Sequence, residues 1–214
     1  YALLLDASEG KLASDVAAQR VRQEWLAQRD TDDGCQTAAK ALLDSGHLTA
    51  QTVWHRARLA METGRPKVAS QALALLKPEW AAMLDDISAA PAKYLDEKIT
   101  AIRPRTKELV TLAIIRLASN DPDGAAAELE RTRWRAQLTQ EEKGWLWGVI
   151  GKRAAQKLQT NALDYFAKGD SRHMHDDHLA WMARAALRAG RWDTVREAIG
   201  AMSDNQQREA DRKS

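Results

Sequence analysis

RLAMETGRPKVASQAL, residues 58–73, recurs without a gap as RAALRAGRWDTVREAI at residues 184–199. Arg58, Ala60, Gly64 and Arg65 of the first copy match Arg184, Ala186, Gly190 and Arg191 of the second, and an Ala-Leu or Ala-Ile pair closes each. Small residues where two helices cross, with glycine in the turn between them, are what a stacked helical hairpin needs. The Gly-to-Gly offset, 190 − 64 = 126 residues, is not a tidy period. The pattern fits degenerate tetratricopeptide-like hairpins better than a regular array. It predicts an all-α chain, a solenoid or superhelix of short antiparallel hairpins forming a single domain over 1–214.

Around the repeat the apolar spacing is helical nearly throughout. Cys35, Ala38, Ala39, Leu42 and Leu43 share one face of a helix, as residues three and four apart do. Trp54, Ala57 and Met61 form a second stripe, and Trp192, Val195, Ile199 and Met202 a third. Abundant alanine favours helix and lets helices approach closely. VTLAII (110–115) is the one β-leaning run, and the helical residues on both sides claim it. Breakers at 44–48, 63–67, 77–79, 89–93, 103–105, 120–124, 168–171 and 189–192 divide the chain. Gly64 and Gly190 suit the left-handed position that ends a helix. Pro66, Pro78 and Pro122 suit the first helical turn, where no amide hydrogen is required. The result is roughly ten to twelve helices of about 10–18 residues, with short links that make neighbours antiparallel.

With 32 basic and 30 acidic residues, mostly interleaved, the chain has no phosphate-tracking stripe, and nucleic acid is not an expected partner. The one local cluster, Arg131, Arg133 and Arg135 around Trp134, reads as a solvated helix end. No apolar stretch approaches the roughly 18 residues that span a bilayer. The chain opens on Tyr1, and YALLLDA is too short and uncharged for a signal peptide. DNQQREADRKS (204–214) reads as a helix still running where the sequence stops. Both ends read as cut, so the expectation is a piece of a longer protein. Cys35 is the single cysteine, too few for a zinc knuckle or an internal disulfide.

SRHMHDDHLAW (171–181) points elsewhere. It contains His173-x-His175-x-Asp177-His178, letter for letter the string that holds two zinc ions in metallo-β-lactamase-type hydrolases. There the string follows a β-strand, and further ligands arrive much later in the chain. Here no strand precedes it, only 214 − 178 = 36 residues follow, and none of them is histidine. His47 and His55 lie far upstream. A hydroxide-bridged zinc pair cannot be closed with that inventory, and no metal or cofactor is expected. The string reads instead as a helix start. Ser171 is the N-cap, Asp176 and Asp177 favour the positive end of the dipole, and Leu179–Trp181 begins the buried stripe. A weak divalent site using His173 or His175 with Asp177 is the alternative.

No Gly-rich phosphate loop, nucleophile elbow, Cys–His pairing or metal-binding helix motif is present. Glycan cleavage needs a positioned carboxylic acid in a cleft. Glu128, Glu130, Glu141 and Glu142 read as solvated groups on helix surfaces, Asp85–Asp86 lies near a helix end, and no catalytic residue is assigned. Eight tryptophans stand beside three tyrosines and one phenylalanine. Indole rings stack on sugars, yet Trp54, Trp181 and Trp192 sit on apolar stripes and read as core. Trp134 is less settled. Trp145 and Trp147 cannot face the same side of one helix, so one of them is expected at the surface, and both are candidate glycan contacts.

DGCQTAAKALLDSGHLTAQTVWHRARLAMETG (33–64) resembles the helical domain of soluble lytic murein transglycosylases. The likeness rests on a helix-opening Cys35, the Ser45–Gly46 turn, Val53–Trp54, and Arg56 or Arg58 before Leu59–Ala60 and Gly64. The rest of the chain, through RAALRAGRW, follows the family's order of short helices more loosely. The resemblance implies a right-handed α-superhelix in the periplasm. It also implies a separate C-terminal lysozyme-like domain, which carries a catalytic glutamate in a Glu-Ser context and a Gly-Leu-Met-Gln motif. That domain cleaves the bond between N-acetylmuramic acid and N-acetylglucosamine and leaves a 1,6-anhydro end. This chain contains neither motif. The implied role is therefore a non-catalytic scaffold that guides peptidoglycan glycan strands to its own catalytic domain. The family's superhelix often bears a disulfide from the helix-opening cysteine to another shortly upstream, which for Cys35 would lie before Tyr1. Two other readings are a tetratricopeptide-like adaptor for a protein segment and a small metalloenzyme built on the histidine string.

Overall fold

The computed structural model describes residues 14–204 and 206–208. YALLLDA, and residues 205 and 209–214 of the expected terminal helix, lie outside the described residues. Among these all regular structure is helical, and it gathers into two compact units, Tyr1–Ala89 and Ala90–Ser214.

The first unit contains α1 (Ser14–Ala27), α2 (Asp33–Asp44), α3 (Ala50–Glu62), α4 (Pro66–Ala74) and α5 (Pro78–Ala89). α1 packs on α2, α3 on α4, and α4 on α5, as consecutive antiparallel helices do when links are short. Asp32 caps α2 by accepting the Cys35 amide at 2.7 Å, and Thr49 caps α3 through the Thr52 amide at 3.2 Å. Trp25, 1% exposed, lies under the Arg56 guanidinium at 5.0 Å. Arg56 is itself buried and donates to the carbonyls of Trp25 and Gln28, satisfying groups that the end of α1 leaves open. Trp54 is buried as expected, stacked on Trp80 at 5.4 Å.

The second unit contains α6 (Pro91–Glu97), α7 (Pro104–Asn120), α8 (Pro122–Glu130), α9 (Thr132–Gln137), α10 (Gln140–Gln156), α11 (Ala162–Ala167), a 3₁₀ turn (Ser171–His173), α12 (Asp176–Arg188) and α13 (Trp192–Ala201). The β-leaning run 110–115 is wholly buried inside α7. Every one of the chain's five prolines sits at the start of a helix, and all eight expected breaks fall at helix ends. Breaks at 98–102, 131, 138–139 and 157–161 are not among the expected ones, so several helices are shorter than expected: α6 has seven residues, and α9 and α11 have six each.

The sequence repeat is a repeat of turns. Gly64 (φ 74°) and Gly190 (φ 67°) take left-handed backbone, and the following amides of Arg65 and Arg191 donate to Ala60 and Ala186, each at 2.9 Å. A third copy stands at Leu158, φ 58°, where Gln159 donates to Ala154 at 2.9 Å. It lies 190 − 158 = 32 residues before Gly190. Leucine hides it, because the position ordinarily asks for glycine. Leu158 is 70% exposed, so its side chain contributes little packing in return for the strain. Leu158→Gly is expected to raise stability by about 0.5–1 kcal/mol, read as a shift in the urea midpoint at constant slope.

The α13 stripe is rotated from its expected position. Val195, Ala198 and Met202 are buried, whereas Trp192 is 63% and Ile199 42% exposed. The buried face centres near Ala198, which leaves Trp192 roughly a quarter turn off it. Trp181 is only half-buried, beneath Arg184 at 5.1 Å.

Candidate functional site

α10 begins with a capping box. Thr139 accepts the Glu142 amide at 3.1 Å, and Glu142 accepts the Thr139 amide at 2.7 Å. Glu142, expected in solvent, is therefore buried at 5% exposure. From Gly144 to Lys152 every residue of α10 is buried. A helix covered on all sides lies at the centre of its unit, and α10 touches α7, α8, α11, α12 and the 3₁₀ turn.

Gly144, Gly148 and Gly151 line one stripe of α10 at a spacing of four and three. A methyl group on them would meet His173 Cβ at 2.5 Å, His178 Cγ at 2.8 Å and Phe166 Cδ1 at 2.8 Å respectively. The bare backbone thus lets three elements close onto one helix.

This centrality corrects the expectation for the tryptophan pair. Trp145 and Trp147 do point to opposite sides, but both sides are covered, and they are 5% and 6% exposed. Trp145 meets His178 edge-on at 5.4 Å and His175 at 5.6 Å, which leaves it no ring face for a ligand. Trp147 stacks on Tyr165 at 6.2 Å, with the Lys168 ammonium 5.1 Å over the indole. The Tyr165 hydroxyl donates to Asp123, as do Asn161 at 3.1 Å and Gln159 at 2.9 Å. Burial and then this bond push the Tyr165 phenol up to about 12, and the phenol in turn holds Asp123 below the usual carboxylate range.

Trp147 lines a cavity of about 310 Å³. Its walls come from the end of α8, from α9, from the first two turns of α10 and from the segment after α11. Leu129 and Gly169 are apolar wall, and the charged groups are Glu130, Arg135, Lys143, Lys168 and Asp170. Lys168 is paired with Glu130. Asp170 is paired with Arg172 at 2.6 Å, which holds its carboxyl at about 2. Arg135 and Lys143 have no carboxylate partner among the described residues, and the Lys143 ammonium reaches only the Arg135 carbonyl, at 3.4 Å.

The histidine string folds into a helix start, with a different cap from the one expected. Ser171 belongs to the 3₁₀ turn, and His175 is the N-cap of α12. His175 Nδ1 accepts the Asp177 amide at 3.3 Å, and His178 Nδ1 accepts the His175 amide at 3.1 Å. Asp177 is ion-paired with Lys152 of α10. Among the described residues no three His, Cys, Asp or Glu groups come together as a ligand set.

The arginine cluster is solvated in part, since Arg131 and Arg135 are exposed and Arg133 is half-buried, but its centre is not. Trp134 is wholly buried, and Glu128, expected on the surface, is 6% exposed. Glu128 accepts from Trp134 Nε1 at 2.7 Å and Arg133 at 3.1 Å, and pairs with Arg131 at 2.9 Å. Glu130 is exposed as expected. Cys35 is half-buried in the first turn of α2, and burial, then Asp32, raises its thiol pKa. No helix among the described residues is long and apolar enough to cross a membrane.

No protein-family model and no curated protein matches this chain. Among solved structures, an X-ray structure of an inactive mutant of the lytic transglycosylase Slt from Pseudomonas aeruginosa matches with a TM-score of 0.63 at 22% identity. The match covers 95% of this chain and 33% of that one, so this chain spans about a third of its length. Over nearly its whole length the chain has the all-α fold found in part of a lytic transglycosylase.

Proposed function

We propose that this chain is the non-catalytic superhelical scaffold of a periplasmic lytic transglycosylase. Stacked hairpins build a long, stiff surface because each buries its apolar face on its neighbours. That surface guides peptidoglycan glycan strands toward a C-terminal lysozyme-like domain of the parent, which cleaves the bond between N-acetylmuramic acid and N-acetylglucosamine with a 1,6-anhydro product. The observation that carries this reading is the fold match along 95% of the chain to one third of a lytic transglycosylase. The absence of Glu-Ser and Gly-Leu-Met-Gln from the sequence supports the non-catalytic half. Of the two tryptophans considered as glycan contacts, Trp147 lines a cavity, and the role belongs to it rather than to Trp145. In the parent, Cys35 forms a disulfide with a cysteine outside this chain.

Co-sedimentation with purified peptidoglycan sacculi tests the reading. The chain is expected to pellet with sacculi and to release no anhydro-muropeptides. A chain that stays in the supernatant is not a glycan guide, and one that releases anhydro products is not a passive scaffold.

A further inference from the structure

We propose that the cavity beside Trp147 is a subsite for a carboxylate-bearing amino sugar, with Arg135 and Lys143 reading the acid. The proposal rests on the glycan-guiding function and names the chemistry of its contact. The volume, about 310 Å³, suits one substituted pyranose ring rather than an extended oligosaccharide. Its apolar wall offers a surface for the C–H face of a sugar, and its rim holds the polar groups that fix orientation.

The decisive feature is how the rim charges are spent. Glu130 and Asp170 are each committed to a cation, Lys168 and Arg172. Two cations from different helices, Arg135 of α9 and Lys143 of α10, face the same space, and neither has an ion-pair partner among the described residues, because the two carboxylates that share the lining are paired elsewhere. A neutral sugar leaves both unanswered, whereas a carboxylate accepts charge-assisted hydrogen bonds from either. In a muramic-acid glycan that carboxylate is the lactyl group where no peptide is attached, and a stem carboxylate where one is. The chemistry read by the two cations is the same.

Calorimetric titration of this chain with three probes separates the possibilities: a stem-free GlcNAc–MurNAc tetrasaccharide, a disaccharide-peptide, and neutral chitotetraose. At least one acidic probe is expected to bind about tenfold tighter than chitotetraose, an advantage that shrinks as salt rises. Which acidic probe gains identifies the source of the carboxylate. Arg135→Glu combined with Lys143→Glu is expected to erase the advantage; Arg135 is exposed, and an unchanged circular-dichroism melt shows the fold intact. Equal binding of all three probes, or an advantage that survives the double variant, overturns the subsite. Sacculus binding without any saccharide binding overturns the subsite and leaves the scaffold reading standing; loss of both overturns both.

Discussion

Gly148→Ala is expected to destabilise the second unit by about 2–3 kcal/mol, although alanine is ordinarily the better helix former by about 1 kcal/mol. The added methyl lands 2.8 Å from His178 Cγ and 3.1 Å from its Cβ, and nearer still to Nδ1. The imidazole has no easy retreat. It is wholly buried, its Nδ1 is held by the His175 amide, and its ring meets Trp145 edge-on. One turn along, the Lys152–Asp177 ion pair ties α12 to α10 again. Relief therefore requires α12 to lift from the central helix, which forfeits packing along its length. The melting midpoint is expected to fall by about 5–12 °C. Gly200→Ala is the control, the same exchange at a helical position with nothing within 4 Å of the new methyl. It is expected to be neutral or stabilising by up to about 1 kcal/mol. Equal effects from the two variants would mean that α12 is not seated on the glycine stripe.

The glycine stripe also marks where the sequence could be read and where it could not. Proline and left-handed glycine act on the backbone of their own residue, so Pro66, Pro78, Pro122, Gly64 and Gly190 were legible one at a time. The turn at Leu158 is equally local but was invisible, because strain leaves no signal in residue type when the usual residue is replaced. The fates of Trp145 and Trp147 depend on how many elements surround one helix, a tertiary property. Their opposite directions were readable from spacing, whereas the covering of both sides was not. Gly144, Gly148 and Gly151 are the signal that would have found it, since glycine at helical spacing costs propensity and is retained here for close approach. The histidine string misleads for a related reason. His175 and His178 do with ring nitrogens what serine and glutamate usually do in a capping box, so a chemical motif and a capping motif coincide in the same letters.

Glu128→Ala is expected to cost about 2–3 kcal/mol, and Glu128→Gln about 1 kcal/mol. Truncation strands the Trp134 indole N–H, whose residue is wholly buried, and removes the only carboxylate paired with Arg133 among the described residues. Arg133 and Arg131 keep 25% and 49% side-chain exposure, so water screens part of the loss and the figure stays below that of a fully buried pair. Glutamine keeps an acceptor for the indole and gives up only the charge. The damage has a defined address. Arg133 also donates to the Leu95 carbonyl at 3.0 Å, and Arg131 reaches Asp96 at 3.0 Å, so Glu128 positions the two side chains that hold α6 against the α8–α9 corner. Amide hydrogen exchange in residues 91–97 is expected to accelerate in Glu128→Ala well before exchange rises in α10, because α6 has only seven residues and cannot stand as a helix alone. Uniform acceleration across the unit would show that Glu128 supports the core in general, and unchanged exchange at 91–97 would show that α6 is held by its apolar contacts on α7 instead.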